Sequence, residues 1–233
     1  MLSATYTDRR QQVEAYFDRT AADAWARLTS DAPVSGIRAT VRAGRDRMRR
    51  LLLGWLPEDL AGRRVLDAGC GTGSLAVEAA RRGALVTAID ISPTLIQLAR
   101  ERTPEDLGAG RVEFLVGDML DPALGSFDHV VAMDSLIHYR TEDAVQALGR
   151  LAPRTAGSIV FTFAPRTALL TVMHTAGRLF PRGDRAPSIQ PTAHARLRAA
   201  LDREGWVSGM RPCRSERIDS GFYISQAMEL ARS

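Results

Sequence analysis

The segment Val65-Leu66-Asp67-Ala68-Gly69-Cys70-Gly71-Thr72-Gly73, followed by Ala88-Ile89-Asp90, decides the fold. An apolar run enters a glycine-rich turn, a helix-like stretch follows, and a second apolar run ends on an acid. That order is a βαβ unit built to cradle a nucleotide. Gly69, Gly71 and Gly73 let the backbone turn sharply and approach a ligand, since no Cβ intervenes. The carboxylate of Asp90, at the tip of the second strand, is set to accept two hydrogen bonds from a ribose diol. Ile91 follows as a further contact.

The spacing favours S-adenosylmethionine over a dinucleotide. The glycines read G-x-G-x-G, not G-x-G-x-x-G, and Asp67 stands two residues before the first of them. A carboxylate there repels a pyrophosphate but suits a ligand carrying an ammonium and a sulfonium. Val112–Val116 reads as a third strand, followed by Gly117, Asp118 and Met119. In methyltransferases of this class the acid at that place meets the adenine amino group, and the next backbone amide meets a ring nitrogen. Phe127–Met133 reads as a fourth strand, with Asp134 and Ser135 at its carboxyl end. Open α/β sheets bind ligands at the carboxyl ends of their strands, so these residues converge on one edge, with Met133 beside the sulfonium.

Composition narrows the class further. At 233 residues and 45% hydrophobic content, the chain can bury one proper core with an added cap. It shows no membrane-spanning run and no signal peptide, so the expectation is a cytoplasmic protein. Cys70 and Cys213 are far apart and form no ligand cluster, so neither a disulfide nor a metal site is expected. Cys70 reads as a small loop filler. All 31 basic residues are arginine, and asparagine is also absent. No lysine Schiff base can form, and the Asn/Asp-Pro-Pro-aromatic signature of nucleic-acid amine methylation is missing. A net charge of +4 permits an anionic substrate without requiring one.

Residues 7–29 carry Val13, Tyr16, Phe17, Thr20, Ala24 and Leu28 at helical spacing. After a break at Asp31–Gly36, a second helix is expected over 37–56. It sets Val41, Met48, Leu51, Leu52 and Trp55 against Arg38, Arg42, Arg45, Arg49 and Arg50. Such a face is ordinarily a solvated cover over a core; contact with a membrane surface or an anionic partner is the other reading. Helices are predicted near 73–82, 93–102, 141–151 and 192–204, and a fifth strand over Gly157–Phe163. Trp206–Met210 and Phe222–Ala231 are expected to pair as a terminal antiparallel hairpin. The expected architecture is a class I methyltransferase Rossmann-like fold: a mostly parallel seven-stranded sheet, a C-terminal hairpin and an N-terminal helical cap. The cap takes residues 1–57 and the methyltransferase domain 58–233, with an insertion at 165–190 as a substrate wall or lid.

The flanks speak to the acceptor. Tyr16-Phe17-Asp18-Arg19-Thr20 with Trp25, Asp134–Tyr139, Phe161–Pro165 and Ser220-Gly221-Phe222-Tyr223-Ile224-Ser225 resemble magnesium-protoporphyrin IX O-methyltransferases of (bacterio)chlorophyll synthesis. The resemblance runs from about residue 12 to the end. One departure is Asp18, where plant-like members tend to carry Asn. The resemblance implies methyl transfer to one propionate of magnesium protoporphyrin, giving a monomethyl ester and S-adenosylhomocysteine (SAH). Magnesium enters only as part of the substrate, and a subunit of magnesium chelatase is the implied upstream partner. Peripheral membrane contact fits a lipophilic substrate.

Chemistry agrees with that implication. A propionate, with a pKa near ~4.3, is already anionic at neutral pH and needs no base to become a nucleophile. The protein's tasks are alignment and removal of water. An apolar disc with two acidic tails needs an apolar wall and a few polar anchors. Phe17, Leu169, Leu170 and Met173 are candidates for the wall. Arg166, or an arginine of the second helix, is the candidate partner of the unmethylated propionate. Tyr139 joins the substrate-side candidates. His138, five residues beyond Met133, and Tyr16, if the first helix folds over the pocket, are the catalytic candidates. Three other readings share parts of this pattern. One is another small-molecule O- or N-methyltransferase of quinone or secondary metabolism. A nucleic-acid enzyme would need a basic stripe that one helix does not supply. A non-enzymatic binding module is disfavoured by intact acids at 67, 90 and 118.

Overall fold

The computed structural model describes residues 3–19, 29, 36–166, 189–203 and 209–232. Among the described residues two helices come first, α1 (Ala4–Arg19) and α2 (Gly36–Trp55). Then come β1 (Arg64–Ala68), α3 (Ser74–Arg81), β2 (Leu85–Asp90), α4 (Pro93–Arg102) and β3 (Arg111–Val116). β4 (Phe127–Ala132), α5 (Thr141–Leu151), β5 (Thr155–Phe163) and α6 (His194–Arg203) follow, and β6 (Met210–Ser220) with β7 (Tyr223–Arg232) ends the chain. The seven strands form one sheet in the order β3-β2-β1-β4-β5-β7-β6. The first five run parallel; β7 and β6 are antiparallel. Strand order reverses between β1 and β4, so the glycine turn after β1 and Asp134 after β4 face one crevice.

Period-two alternation sends neighbouring strand residues to opposite faces. Leu66, Val130, Ile159 and Phe161 pack under α5 and α6, through Leu148, Leu151 and Leu197. Val65, Val131 and Val160 pack under α2, α3 and α4, through Met48, Leu52, Ala76 and Ile96. Residue 57 is therefore no break in packing: the second half of α2 belongs to the same apolar layer as the methyltransferase helices. Its arginine face is not simply solvated either, as described below.

Two expectations shift. The first helix begins at Ala4, earlier than expected, and is described as far as Arg19; Thr20, Ala24, Trp25 and Leu28 lie outside the described residues. In the hairpin, Met210 opens the first strand rather than ending it, and the strand continues to Ser220. β6 lies at the sheet edge, with most side chains exposed and only Met210 and Ile218 buried. It therefore carries no apolar alternation to read. Pro212 sits where such a strand tolerates it, next to a register shift between Pro212 and Ser215. The insertion residues Leu169, Leu170 and Met173 lie outside the described residues.

Candidate active site

A cavity of about 610 Å³ opens at the carboxyl edge of the sheet, over the switch point. Its inner half is acidic. Gly69, Gly71 and Gly73 all take positive φ, at 84°, 54° and 79°. The Gly71 N–H donates to Asp90 Oδ2 at 2.9 Å and the Ser92 N–H to Oδ1 at 3.0 Å, which fixes the carboxylate at the strand tip. Burial pushes the Asp90 carboxyl up against those bonds. Asp67 is 2% exposed. Burial, with Asp90 adding to it and a backbone hydrogen bond from Ala76 opposing, pushes its carboxyl up to about 7. Its Oδ2 is buried and has no hydrogen-bond partner among the described residues. An orphaned buried carboxylate oxygen is costly unless a ligand completes it, and a cationic ligand does so best. The pocket residues thus fit S-adenosylmethionine. Burial with Asp67 and Asp90 nearby pushes the Cys70 thiol well up, so it stays protonated and fills the loop.

Asp118 follows β3 as expected, but it is engaged from a direction that sequence reading missed. Tyr6 Oη donates to its Oδ1 at 3.2 Å and Arg10 pairs with its Oδ2 at 3.1 Å. Met119, buried beside it, lines the cavity with Ile91 and Met133. Tyr139 stacks on Tyr6 at 4.8 Å, and burial with Asp118 nearby holds its hydroxyl up near 12. Tyr139, expected on the substrate side, lines the cavity and reaches Asp118 through Tyr6.

α1 spans this edge and is tied along its length. Ser3 and Thr5 donate to Asp143 at 2.5 and 2.9 Å, and Arg9 Nε donates to the His138 carbonyl at 2.7 Å. Asp18 accepts from Thr94 Oγ1 at 2.7 Å at the N-terminus of α4, where a carboxylate also meets the helix dipole. Tyr16 and Phe17 consequently line the cavity, their rings 5.2 Å apart, and Phe17 meets the His138 ring edge-on at 5.7 Å. His138 is buried in a 3₁₀ turn, Leu136–His138. Burial raises the Tyr16 hydroxyl's pKa, so it is a neutral donor at physiological pH. Ser135 Oγ is buried here without a partner among the described residues. Arg166 does not join this group: its side chain is exposed and off the cavity wall. Arg38, Arg42, Arg45 and Arg49 of α2 line the cavity instead.

The wall behind them holds a second group that sequence reading passed over. Asp134 takes φ 55°, the one positive value outside glycine among the described residues. Its carboxylate binds Arg45 and accepts from Tyr223 Oη at 3.1 Å, Thr162 Oγ1 at 3.2 Å and Ser225 Oγ at 3.4 Å. Nothing local marks this cluster, because 89 residues separate Asp134 from each of Arg45 and Tyr223. The two usable signs were Asp134 at a strand end and the Tyr223–Ser225 segment.

Known proteins match this fold and sequence. A family profile described as "Magnesium-protoporphyrin IX methyltransferase C-terminus" matches residues 132–232, and a "Methyltransferase domain" profile matches 65–155. A magnesium-protoporphyrin O-methyltransferase of Rhodobacter capsulatus is 52% identical, over 98% of this chain and 99% of that one. The crystal structure of a magnesium protoporphyrin IX methyltransferase from Synechocystis with bound SAH superposes with a TM-score of 0.82. It is 32% identical over 96% of this chain and 100% of its own. A ubiquinone biosynthesis O-methyltransferase of Xanthomonas oryzae, at 39%, matches only 54% of this chain and 55% of its own.

Proposed function

The chain belongs to the magnesium-protoporphyrin O-methyltransferase family, and from this premise we infer that it esterifies one propionate of magnesium protoporphyrin IX. It is an S-adenosylmethionine-dependent methyltransferase of (bacterio)chlorophyll biosynthesis. The observation that carries the reading is a relative 52% identical from end to end, joined to a cavity whose inner half suits a cation. The likeness to quinone enzymes stops at about half the chain, which disfavours the other small-molecule reading.

S-adenosylmethionine supplies an electrophilic methyl group on a sulfonium. Asp67 receives its ammonium, Asp90 its ribose diol, and Asp118 with Met119 its adenine. Cys70, Ile91 and Met133 fill in around it. The acceptor carboxylate arrives ionised, so no residue needs to remove a proton. His138 and Tyr16 act as donors that orient its oxygens, and α1, with Phe17, keeps water out. In such a site the loss of both charges on transfer is favoured over the solvated ions, and alignment supplies roughly 7–11 kcal/mol of the barrier.

Replacing His138 with Ala, or Tyr16 with Phe, is expected to lower turnover tenfold or more while S-adenosylmethionine affinity stays near wild type. Wild-type turnover in both variants would remove these roles. A porphyrin titration supplies the binding test: magnesium protoporphyrin should shift and sharpen its Soret band on mixing, and a quinol-specific enzyme would leave the band unchanged. The reading extends to delivery. Among the described residues no helix is long and apolar enough to cross a membrane. Ile37, Ile189 and Phe222 are nevertheless exposed, the last two on the cavity wall, beside a basic helix. Such a rim supports handover from a magnesium chelatase subunit, or peripheral contact with a membrane surface, in the cytoplasm.

A further inference from the structure

Arg38, Arg42, Arg45 and Arg49 recur at helical spacing and share one face of α2, toward the cavity. Asp67, Asp90 and Asp118 line the cavity beside the strand ends β1–β3, and α2 carries most of its arginines. The deeper two arginines are neutralised within the protein. Arg45 pairs with Asp134, and Arg49 with Glu78 and Asp46. Arg38 makes no hydrogen bond or ion pair among the described residues and is exposed at the mouth, ~10 Å along the axis from Arg45. Arg42 lies half-buried one turn deeper. Beside them is an apolar plane. The β6–β7 turn leans on the start of α2, with Ser220 Oγ donating to the Thr40 carbonyl at 3.4 Å, and Phe222, 48% exposed, projects from it along the cavity wall. A guanidinium exposed at the mouth, a second lining the cavity one turn deeper and an exposed aromatic ring match a flat ligand that carries an acid on its rim.

We propose that Arg38 and Arg42 form the subsite for the propionate that is not methylated, and so select which propionate is esterified and stop the enzyme after one transfer. This rests on the porphyrin reading above. With one acid held by the arginines, the other is the only carboxylate left to reach His138. A second transfer would require the product to turn over, presenting its remaining acid to His138 and its neutral ester to Arg38 and Arg42. The charge-assisted bonds would then be lost while the guanidinium groups were covered.

The test is the product pattern of wild type, Arg38→Ala and the Arg38→Ala/Arg42→Ala double variant on magnesium protoporphyrin IX, resolved by chromatography and mass spectrometry. Wild type should give one monoester isomer and no diester. The double variant should show a KM for porphyrin raised about tenfold or more, both monoester isomers, and some diester. Arg38→Ala should fall between. The isomer ratio matters because a general loss of folding lowers rate without mixing isomers. A wild-type mixture, or a single isomer at wild-type KM in the double variant, overturns this proposal alone. No methylated porphyrin from wild type overturns the substrate reading, and the proposal with it.

Discussion

Asp67, proposed above to hold the cofactor's ammonium, stands there at the expense of the fold. Its carboxyl is held near 7 by burial, against an ordinary value of 3.8. The folded protein therefore binds its proton more tightly than the unfolded chain does. Below about pH 4 both states are protonated and nothing is lost. As pH rises to 7 and beyond, the buried charge costs the ligand-free fold on the order of 4 kcal/mol, at ~1.4 kcal/mol per tenfold. A bound ammonium reverses the sign, because it favours the ionised carboxylate. Two results are expected. Affinity for S-adenosylmethionine should climb as pH rises toward 7 and fall again once the ligand's own ammonium loses its proton, measured by calorimetry. Asp67→Asn should raise the melting temperature of the ligand-free protein at pH 8 while weakening cofactor binding tenfold or more. A variant that binds as tightly as wild type, or melts lower without ligand, would contradict this account.

At the scale of elements, the position of α2 is what connects core, cofactor edge and acceptor wall. Its inner face is anchored by Met48, Leu52 and Leu53, and its outer arginines reach the cavity because the helix lies close on β7. Gly44 permits that approach: a Cβ there would fall 2.6 Å from Cδ1 of Tyr223, the residue that holds Asp134. An exposed helical Gly→Ala change adds about 1 kcal/mol of stability. Here the clash should win, with overpacking costing about 1–3 kcal/mol, so Gly44→Ala should lower the melting temperature and raise the porphyrin KM. A rise in melting temperature would refute the close contact. The helix itself was legible in the sequence from its spacing, and α4 and α5 fell on their predicted bounds. What spacing could not convey is which way the arginines faced, since a solvated face and a cavity wall have the same periodicity. The edge strand β6 was misplaced for a related reason: with only Met210 and Ile218 buried, it shows no alternating pattern.

Across the whole molecule, local motifs specified the cofactor half and long-range contacts built the acceptor half. The glycines, Asp67, Asp90 and Asp118 lie within strand–turn units whose geometry follows from short segments, so they could be found by reading. Arg45 and Tyr223 on Asp134, and the Tyr6 and Arg10 clasp on Asp118, join residues about a hundred positions apart and become visible only when the sheet closes. The cavity unites both groups beside α1: Asp67, Asp90 and Asp118 share its lining with the arginines of α2. In the function proposed above, this enclosure moves a methyl group onto a porphyrin propionate. The most direct test is to incubate the purified protein with S-adenosylmethionine and magnesium protoporphyrin IX, with metal-free protoporphyrin alongside, and weigh the porphyrins. A gain of one methyl group on the magnesium form, with SAH released, is the predicted result. An unchanged porphyrin mass, with S-adenosylmethionine still bound, would contradict it.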